Sequence, residues 1–565
     1  MVKFSLLGES ISSSEKNFSR KRSFAHEGRR GRQTLFVFYA ALLVIFSVLI
    51  LKLFWLAVVD GEKNRVLAEE NRIRLYAIEA PRGKILDADG QTLAESREGF
   101  KKKKGEKEVA VSKDAAQDLI KKGLAGEGFE GDSGQIVREI ERNYPLSKAS
   151  AHVLGYISLV QPEDLKNLKN VSSEANVGRL GIEAVYQSFL AGVDGKKLIE
   201  VAATGKKVSI LGEQAPVEGK SIQLSLKHDL QKFAFEALEK GAQKAGTKRG
   251  AVIISNPSNG QILALASVPS FDPADIGKSV ADIDKPFLDR VVLGTYPPGS
   301  VFKIVTAFAG LEGGFVNKDT EIEDVGEFAI GEFKFPNWYF LSYGRREGIL
   351  KIDRAIARSN DIFFYRVAEA AGLDAIRAMA NKFGFGQKTG IDLPDEAFGL
   401  VPSREWKRSV QNEDWFLGDT MHLGIGQGSM IVTPIQVNIM TSFMASGKLM
   451  KPYIVTKIGN QAIDPKEISG MFVKKDNFDL VREGMRQACA KGGTGWPFFE
   501  AKNTVGCKTG TAERGLGDPH AWFTAFAPYD NPQIAITVII EDGGEGSSVA
   551  GPVAKEILDW YFGNR

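Results

Sequence analysis

Two cysteines and five histidines in 565 residues leave little material for metal or disulfide chemistry. Cys489 and Cys507 are too few for a disulfide scaffold. Buried free thiols are the plainer reading, and a single Cys489–Cys507 bridge is the alternative if this part lies outside the cytoplasm. His26, His152, His228, His422 and His520 are scattered without HExxH or Cys-pair spacing, so no metal site and no cofactor are expected. Excess charge of one sign is missing as well. With 73 Lys and Arg against 70 Asp and Glu, the net charge of +3 excludes a nucleic-acid surface over the whole molecule.

What is present begins with a basic tail. Residues 1–34 carry eight Lys or Arg against three Glu. Leu35 to Leu51 is apolar except for Ser47, and Leu53 to Val59 extends the run beyond Lys52. At 1.5 Å per residue this gives about 37 Å, enough to span a bilayer with some tilt. The run is too long for a cleaved signal peptide, and no small-residue cleavage site follows. The basic flank places the N-terminus in the cytoplasm and everything after Asp60 outside it. Lys52 reads as snorkelling to the outer interface, with a membrane partner as the sharper alternative.

Past the anchor, Ala80-Pro-Arg82-Gly83-Lys-Ile-Leu-Asp87-Ala-Asp89-Gly90 reads as a loop, a short strand and an Asp-Gly turn. Lys101 to Lys104 reads as a solvated loop and residues 113–142 as helical with glycine breaks. Gly178 to Tyr186 opens a helix at Gly181. From about residue 220 the texture changes to strand Ile222–Leu226, helix Asp229–Ala245, and strand–turn–strand over 250–266. Three β-rich segments (504–511, 520–527, 533–541) and a helix (549–561) close the chain. Strands at both ends around a helical middle predict an α+β domain, one antiparallel sheet packed between helices.

The middle holds Tyr296-Pro-Pro-Gly-Ser300-Val-Phe-Lys303. The Pro-Pro-Gly run interrupts regular structure, and a helix starts at or near Ser300. Residues three apart share a helix face, so the Lys303 amine can sit beside the Ser300 hydroxyl. A serine needs a base held against it to act as a nucleophile. Lysine serves only if its pKa falls from about 10.4 toward 7, about 4 kcal/mol of differential interaction. Burial and a second cation supply shifts of that size. The spacing alone is weak, since Ser13 and Lys16 share it in the polar tail.

Two further motifs add weight. Ser359-Asn360-Asp361 precedes Ile-Phe-Phe-Tyr365 and a long helix; read alone, it is a helix cap. Lys508-Thr509-Gly510-Thr511 lies on a strand whose alternation puts Lys508 and Gly510 on one face. Glycine there lets a ligand backbone approach, and Lys508 offers a cation for a carboxylate. Lys388-Thr389-Gly390 repeats the letters in a glycine-rich turn and reads as a decoy. Gly424-Ile-Gly426-Gln-Gly428 lacks the βαβ context of a dinucleotide fingerprint.

In chain order these are Ser-x-x-Lys, Ser-x-Asp and Lys-Thr-Gly, the trio of β-lactamases and penicillin-binding proteins. The sequence resembles the class B penicillin-binding proteins from Arg82-Gly83 to its end, apart from a divergent stretch near 93–142. Tyr296-Pro-Pro-Gly-Ser-Val-Phe-Lys, Trp415-Phe-Leu-Gly-Asp-Thr, Gly426-Gln-Gly and His520-Ala-Trp-Phe are similar to the elongation branch more than the septal one. Ala80-Pro-Arg-Gly-Lys-Ile-Leu-Asp and Gly181-Ile-Glu183 resemble that family's pedestal motifs. Three departures stand out. The third residue of the second motif is Asp361 with Asn360 before it, a register set by matching Phe363-Phe364-Tyr365 in preference to the shift giving Arg358-Ser359-Asn360. Lys227 occupies a position where relatives carry an acid, and the outer pedestal head near 93–142 is short.

The resemblance implies a penicillin-binding/β-lactamase-like fold, with a tail (1–34), anchor (35–59), pedestal (60–219) and transpeptidase domain (220–565). It implies Ser300 as acylated nucleophile, Lys303 as base, Ser359 as proton relay and Asp361 as orienting group. Lys508 and Thr509 would hold the substrate carboxylate, with Asn360, Gly510 and Thr511 at the substrate. The amides of Ser300 and Thr511 would form the oxyanion hole. The implied activity is peptidoglycan D,D-transpeptidation on D-Ala-D-Ala stem peptides, blocked by β-lactams. Residues 60–220 show no glycosyltransferase motif, so a SEDS-type membrane glycosyltransferase is the implied partner. A D,D-carboxypeptidase or β-lactamase, a β-lactam sensor and a non-catalytic polymerase-activating scaffold are the alternatives.

Overall fold

The computed structural model describes residues 27–104, 107–121, 136–167, 175–201, 207–469, 472–515 and 517–563. It divides into two compact units, residues 1–76 with 198–212 and residues 77–197 with 213–565. In the first unit, helix Glu27–Phe54 continues through a π-helical turn, Trp55–Val59, and Gly61–Arg72 follows. Leu35–Val59 is 25 residues long with a mean hydropathy of 2.8, and none of its most apolar window is buried. That length and composition suit a bilayer crossing.

The second unit opens on a mixed sheet ordered Gln461–Ala462, Val455–Ile458, Ile222–Leu224, Ile85–Leu86, Thr92–Lys104, Lys107–Val111, with Ile136–Asn143 also on Thr92–Lys104. Two expectations are corrected here. Lys101 to Lys104 is not a loop but the end of a 13-residue strand. Ile136–Asn143 is not helical but pairs along it from Glu95↔Asn143 to Lys102↔Ile136. Oppositely charged residues are paired in this ladder, Arg97 standing opposite Glu141. Such cross-strand pairs hold polar sequences extended that carry no β pattern of their own. The helical expectation holds over Lys113–Lys121, while residues 122–135 lie outside the described residues.

Beside this sheet, Glu183 is fully buried between two guanidiniums. Arg82 donates to its Oε2 through Nη2 at 2.6 Å, and Arg142 donates to its Oε1 at 2.7 Å. Arg142 also donates to the Gly83 carbonyl at 2.9 Å. A Cβ on Gly83 would lie 2.1 Å from the Lys220 carbonyl, so only glycine lets these strands approach.

The C-terminal region is built on a five-stranded antiparallel sheet. Its strands are β1 (Gly250–Ser255), β2 (Ile262–Val268), β3 (Gly506–Ala512), β4 (His520–Ala527) and β5 (Ile534–Ile540), in the order β2-β1-β5-β4-β3. Alternate residues serve two cores. Val252, Ile254, Ile536 and Val538 pack with α1 (His228–Lys244) and α6 (Ala550–Gly563). Ala251, Ile253 and Ile539 pack on the other face with α2 (Lys303–Glu312), α3 (Asp361–Lys382) and α4 (Pro434–Ser446). Burial on both faces explains the unbroken apolar runs of β1 and β5. The ends of α4 are written locally. Thr433 and Gln436 form a capping box, Pro434 begins the helix, and Gly447 closes it at φ 72°. Edge strand β3 carries the Lys-Thr-Gly segment, and α5 (Lys475–Ala488) packs beside it.

Candidate active site

Ser300 sits in a 3₁₀ turn, Gly299–Phe302, directly before α2. The turn is fixed from two sides. Gly299 has φ 55°, and its N–H donates to the Gly426 carbonyl at 2.9 Å. Trp522 Nε1 on β4 donates to the Pro297 carbonyl at 3.0 Å. Gly510 on β3 makes this approach feasible, because a Cβ there would lie 3.0 Å from both Val301 and Trp522. The close approach at Gly510, expected for a ligand backbone, is made here by the chain's own Ser300 turn.

Ser359 follows helix Ile352–Arg358 in a left-handed conformation, φ 52° and ψ 36°. This is uncommon for a non-glycine residue, and it points the residue's carbonyl and hydroxyl toward the root of α2. Lys303 Nζ donates to Asp361 Oδ1 at 2.6 Å, to the Ser359 carbonyl at 2.7 Å and to Ser359 Oγ at 3.3 Å. Lys508 Nζ donates to the same Ser359 Oγ at 2.8 Å and to the Thr509 carbonyl at 2.9 Å. Both amines are fully buried. Asp361 Oδ2 accepts the Trp338 N–H at 2.9 Å.

Two buried amines share one carboxylate, and the electrostatics follow from that count. Burial pushes the Lys303 amine below its ordinary value, with Asp361 and Glu347 pulling it back up. Lys508 is held well below the usual lysine range, first by burial and then by the charge of Lys303. Such a pair favours losing a proton. Lys303 Nζ has three oxygens within reach, as many acceptors as a charged amine has donors. Once it gives up that proton it can accept one from a hydroxyl a helical turn away.

A cleft of about 1010 Å³ opens over this cluster. Ser300, Ser359, Asp361, Thr509, Gly510 and Thr511 line it together. Lys303 and Lys508 lie beneath its floor. Lys508 is therefore turned inward onto Ser359, while Thr509 and Thr511 of β3 line the cleft. Thr509 Oγ1 is in turn 2.8 Å from Thr494 Oγ1. Asn360 does not reach the cleft. Its Oδ1 accepts the Phe363 N–H at 2.9 Å as the cap of α3, and its Nδ2 donates to Glu347 at 3.1 Å, so the expected substrate contact gives way to a structural one.

The far wall of the cleft was not legible in sequence: Trp338, Tyr339 and Tyr343 lie on a segment without motif spacing. The Lys388-Thr389-Gly390 repeat lies in a turn, as expected, where the Thr389 and Gly390 amides donate to Glu396 at 2.6 and 2.9 Å. The two cysteines are corrected. Cys489 and Cys507 form a disulfide with Cα atoms 5.8 Å apart, not free thiols. The bridge arises because α5 ends against β3, and Gly495 leaves room for it, a Cβ there falling 2.7 Å from the Cys507 sulfur. Among the described residues no three His, Cys, Asp or Glu side chains are grouped to hold a metal ion.

Comparison with known proteins agrees with this geometry. The family model for the penicillin-binding protein transpeptidase domain matches residues 250–559, more than half of the chain. That for the penicillin-binding protein dimerisation domain matches residues 131–224. The peptidoglycan D,D-transpeptidase MrdA of Salmonella typhimurium is 31% identical over 96% of this chain and 97% of its own length. Its namesake in Haemophilus influenzae is 30% identical over 94% of this chain and 92% of its own. Among solved structures, Pseudomonas aeruginosa PBP2 in complex with WCK 5153 superposes with a TM-score of 0.70 at 33% identity, covering 86% of this chain and 96% of that one. Helicobacter pylori PBP2 in complex with MreC gives a TM-score of 0.74 at 28% identity, covering 87% and 99%. With the Ser300 turn, the left-handed Ser359 and the Lys-Thr-Gly edge strand brought to one cleft, and with these matches along nearly its whole length, the chain belongs to the class B penicillin-binding proteins, in the penicillin-binding protein 2-like branch.

Proposed function

We propose that the chain is a membrane-anchored peptidoglycan D,D-transpeptidase of cell-wall elongation. One observation carries the reading: Lys303, Ser359 and Lys508 are joined by hydrogen bonds beneath a cleft that Ser300 lines. Neutral Lys303 takes the Ser300 proton as Oγ attacks the carbonyl of the penultimate D-alanine. The amides of Ser300 and Thr511 receive the oxyanion, each such donor being worth about 2.7–4 kcal/mol in other enzymes. Ser359 passes a proton to the leaving D-alanine amine, with Lys508 holding its hydroxyl and Asp361 orienting Lys303. Thr509 and Thr511 meet the terminal carboxylate. The amine of a neighbouring stem then attacks the acyl-enzyme, returns its proton through the same groups and frees Ser300. A strained β-lactam amide enters the first half of this path and stalls there.

The proposed organisation is a cytoplasmic tail (1–34), a single membrane span (35–59), a pedestal (60–219) and an extracytoplasmic transpeptidase domain (220–565). Glycan polymerisation falls to a partner, a SEDS-type glycosyltransferase. The likeness to a solved peptidoglycan synthase complex that coordinates polymerization and crosslinking supports a polymerising partner, at 28% identity and a TM-score of 0.76 over 95% of this chain. Labelling with a fluorescent penicillin is expected on the full-length protein and absent in Ser300→Ala. With the polymerase and lipid-linked precursor, cross-linked dimers are expected; trimmed monomers alone would mean a hydrolase.

A further inference from the structure

The stretch from Asp324 to Glu347 builds the far wall of the cleft and belongs to none of the three motifs. It is a hairpin, Glu327–Ile330 with Phe333–Pro336, followed by the short helix Trp338–Tyr343. Its outer side is exposed, yet its root is polar and sealed: Asn337 is fully buried and Asp324 nearly so. Asp324 closes the two ends of the wall on one carboxylate. Its Oδ1 accepts the Gly326 N–H at 2.8 Å, and its Oδ2 accepts the Glu347 N–H at 2.9 Å. Asn337 is the arm that reaches the catalytic helix. Its Nδ2 donates to Asp324 Oδ2 at 2.9 Å, and its Oδ1 accepts the Asp361 N–H at 3.1 Å. The next residue donates its own N–H to Asp361 Oδ2 at 2.9 Å, and Trp338 Nε1 donates to the Arg358 carbonyl at 3.1 Å. The two oxygens of Asp361 are thus divided, one to Lys303 and one to the wall.

We propose that Asn337 is a positioning residue for acylation: by tying the wall to the Asp361 amide, it keeps the Trp338 N–H on Asp361 Oδ2 and so fixes how Asp361 meets Lys303. The inference rests on Lys303 being the base that activates Ser300. A carboxylate that accepts a second donor has part of its charge satisfied and holds an ammonium less strongly. With Asn337 gone, the Trp338 amide is no longer pinned, more of the Asp361 charge falls on Lys303, and less neutral amine is available. The other charged or titratable groups facing the pair are Lys508 from β3, Glu347 and Arg358 behind Asn360, and Tyr365 one turn along α3. Replacing Asn337 with alanine changes none of those charges.

The test is the acylation rate of the detergent-solubilised full-length protein with a fluorescent penicillin, followed across the neutral and alkaline range. For Asn337→Ala the acid limb is expected to move to higher pH by about one unit. The rate at neutral pH falls roughly tenfold and returns toward the unsubstituted rate as Lys303 deprotonates. Asn337→Ser keeps a polar group but shortens the arm so that it no longer spans Asp324 and the Asp361 amide, adds no charge, and moves the limb the same way. It carries the test alone if the alanine variant does not fold. A loss that is equal at every pH, or a lower melting temperature with an unmoved limb, overturns the positioning role and leaves Ser300 acylation standing. Labelling that persists in Ser300→Ala overturns instead the reading beneath it.

Discussion

At the scale of single residues, the site is governed by how few counter-charges meet two buried amines. Lys508 serves Ser359 first, because its Nζ is spent on that hydroxyl and on the Thr509 carbonyl. Lys508→Ala is therefore expected to slow acylation on the order of a hundredfold. Lys508→Arg should not recover it, since a planar fork cannot occupy a sealed ammonium pocket. The penicillin-labelling rate reads both. Away from the cleft, burial pushes the Asp289 carboxyl up to about 6 while its side chain caps the Val291 amide. The folded state thus binds this proton more tightly than the unfolded chain. Asp289 adds stability below the ordinary carboxylate range and loses that contribution as the pH rises through about 6. His152, pushed down to about 4 by burial, works in the opposite sense over the same window. Asp289→Asn should make the melting temperature fall more steeply between neutral and mildly acidic pH, by at most about 1.4 kcal/mol per pH unit. An unchanged slope would sink the assignment.

At the scale of elements, the Cys489–Cys507 bridge ties the end of α5 to the residue before Lys508. The bridged loop carries Thr494, whose hydroxyl meets Thr509, and Trp496 at the cleft mouth. Replacing both cysteines with alanine should cost about 3 kcal/mol of stability by denaturant titration and should slow acylation in the same samples; full stability without the bridge would refute its role. Legibility also varied by element. Strands β1 and β5 were readable because both their faces are buried, which leaves uninterrupted apolar runs. The pairing of Ser300 with Lys303 was readable because residues three apart share a face in the 3₁₀ turn that runs into α2. Thr92–Lys104 was not, because most of its length is paired with Ile136–Asn143, a strand distant in sequence. Asn337 escaped for the same reason, its two partners being distant neighbours. Asn360 was misassigned because capping and substrate contact ask for the same short polar side chain.

At the scale of the whole molecule, segments far apart in sequence are held by buried ions as much as by apolar packing. Arg82, Arg142 and Glu183 come from three separate stretches and meet around one carboxylate. Glu183→Gln would leave two buried guanidiniums without their anion, at a cost of about 3–5 kcal/mol. A denaturation midpoint close to that of the unsubstituted protein would show that the cluster is not what joins them. The expected loss is in stability, with penicillin labelling of the surviving folded protein retained.

The sulfur bridge beside the catalytic strand also sets an order of events. Thiols of this kind stay apart in the reducing cytoplasm, so on the proposed topology the chain crosses the bilayer with residues 489–507 untied. Competence to build wall is then acquired only after export. A cell unable to oxidise proteins beyond its inner membrane would, on the proposed function, hold a less stable and more slowly acylated form of the chain.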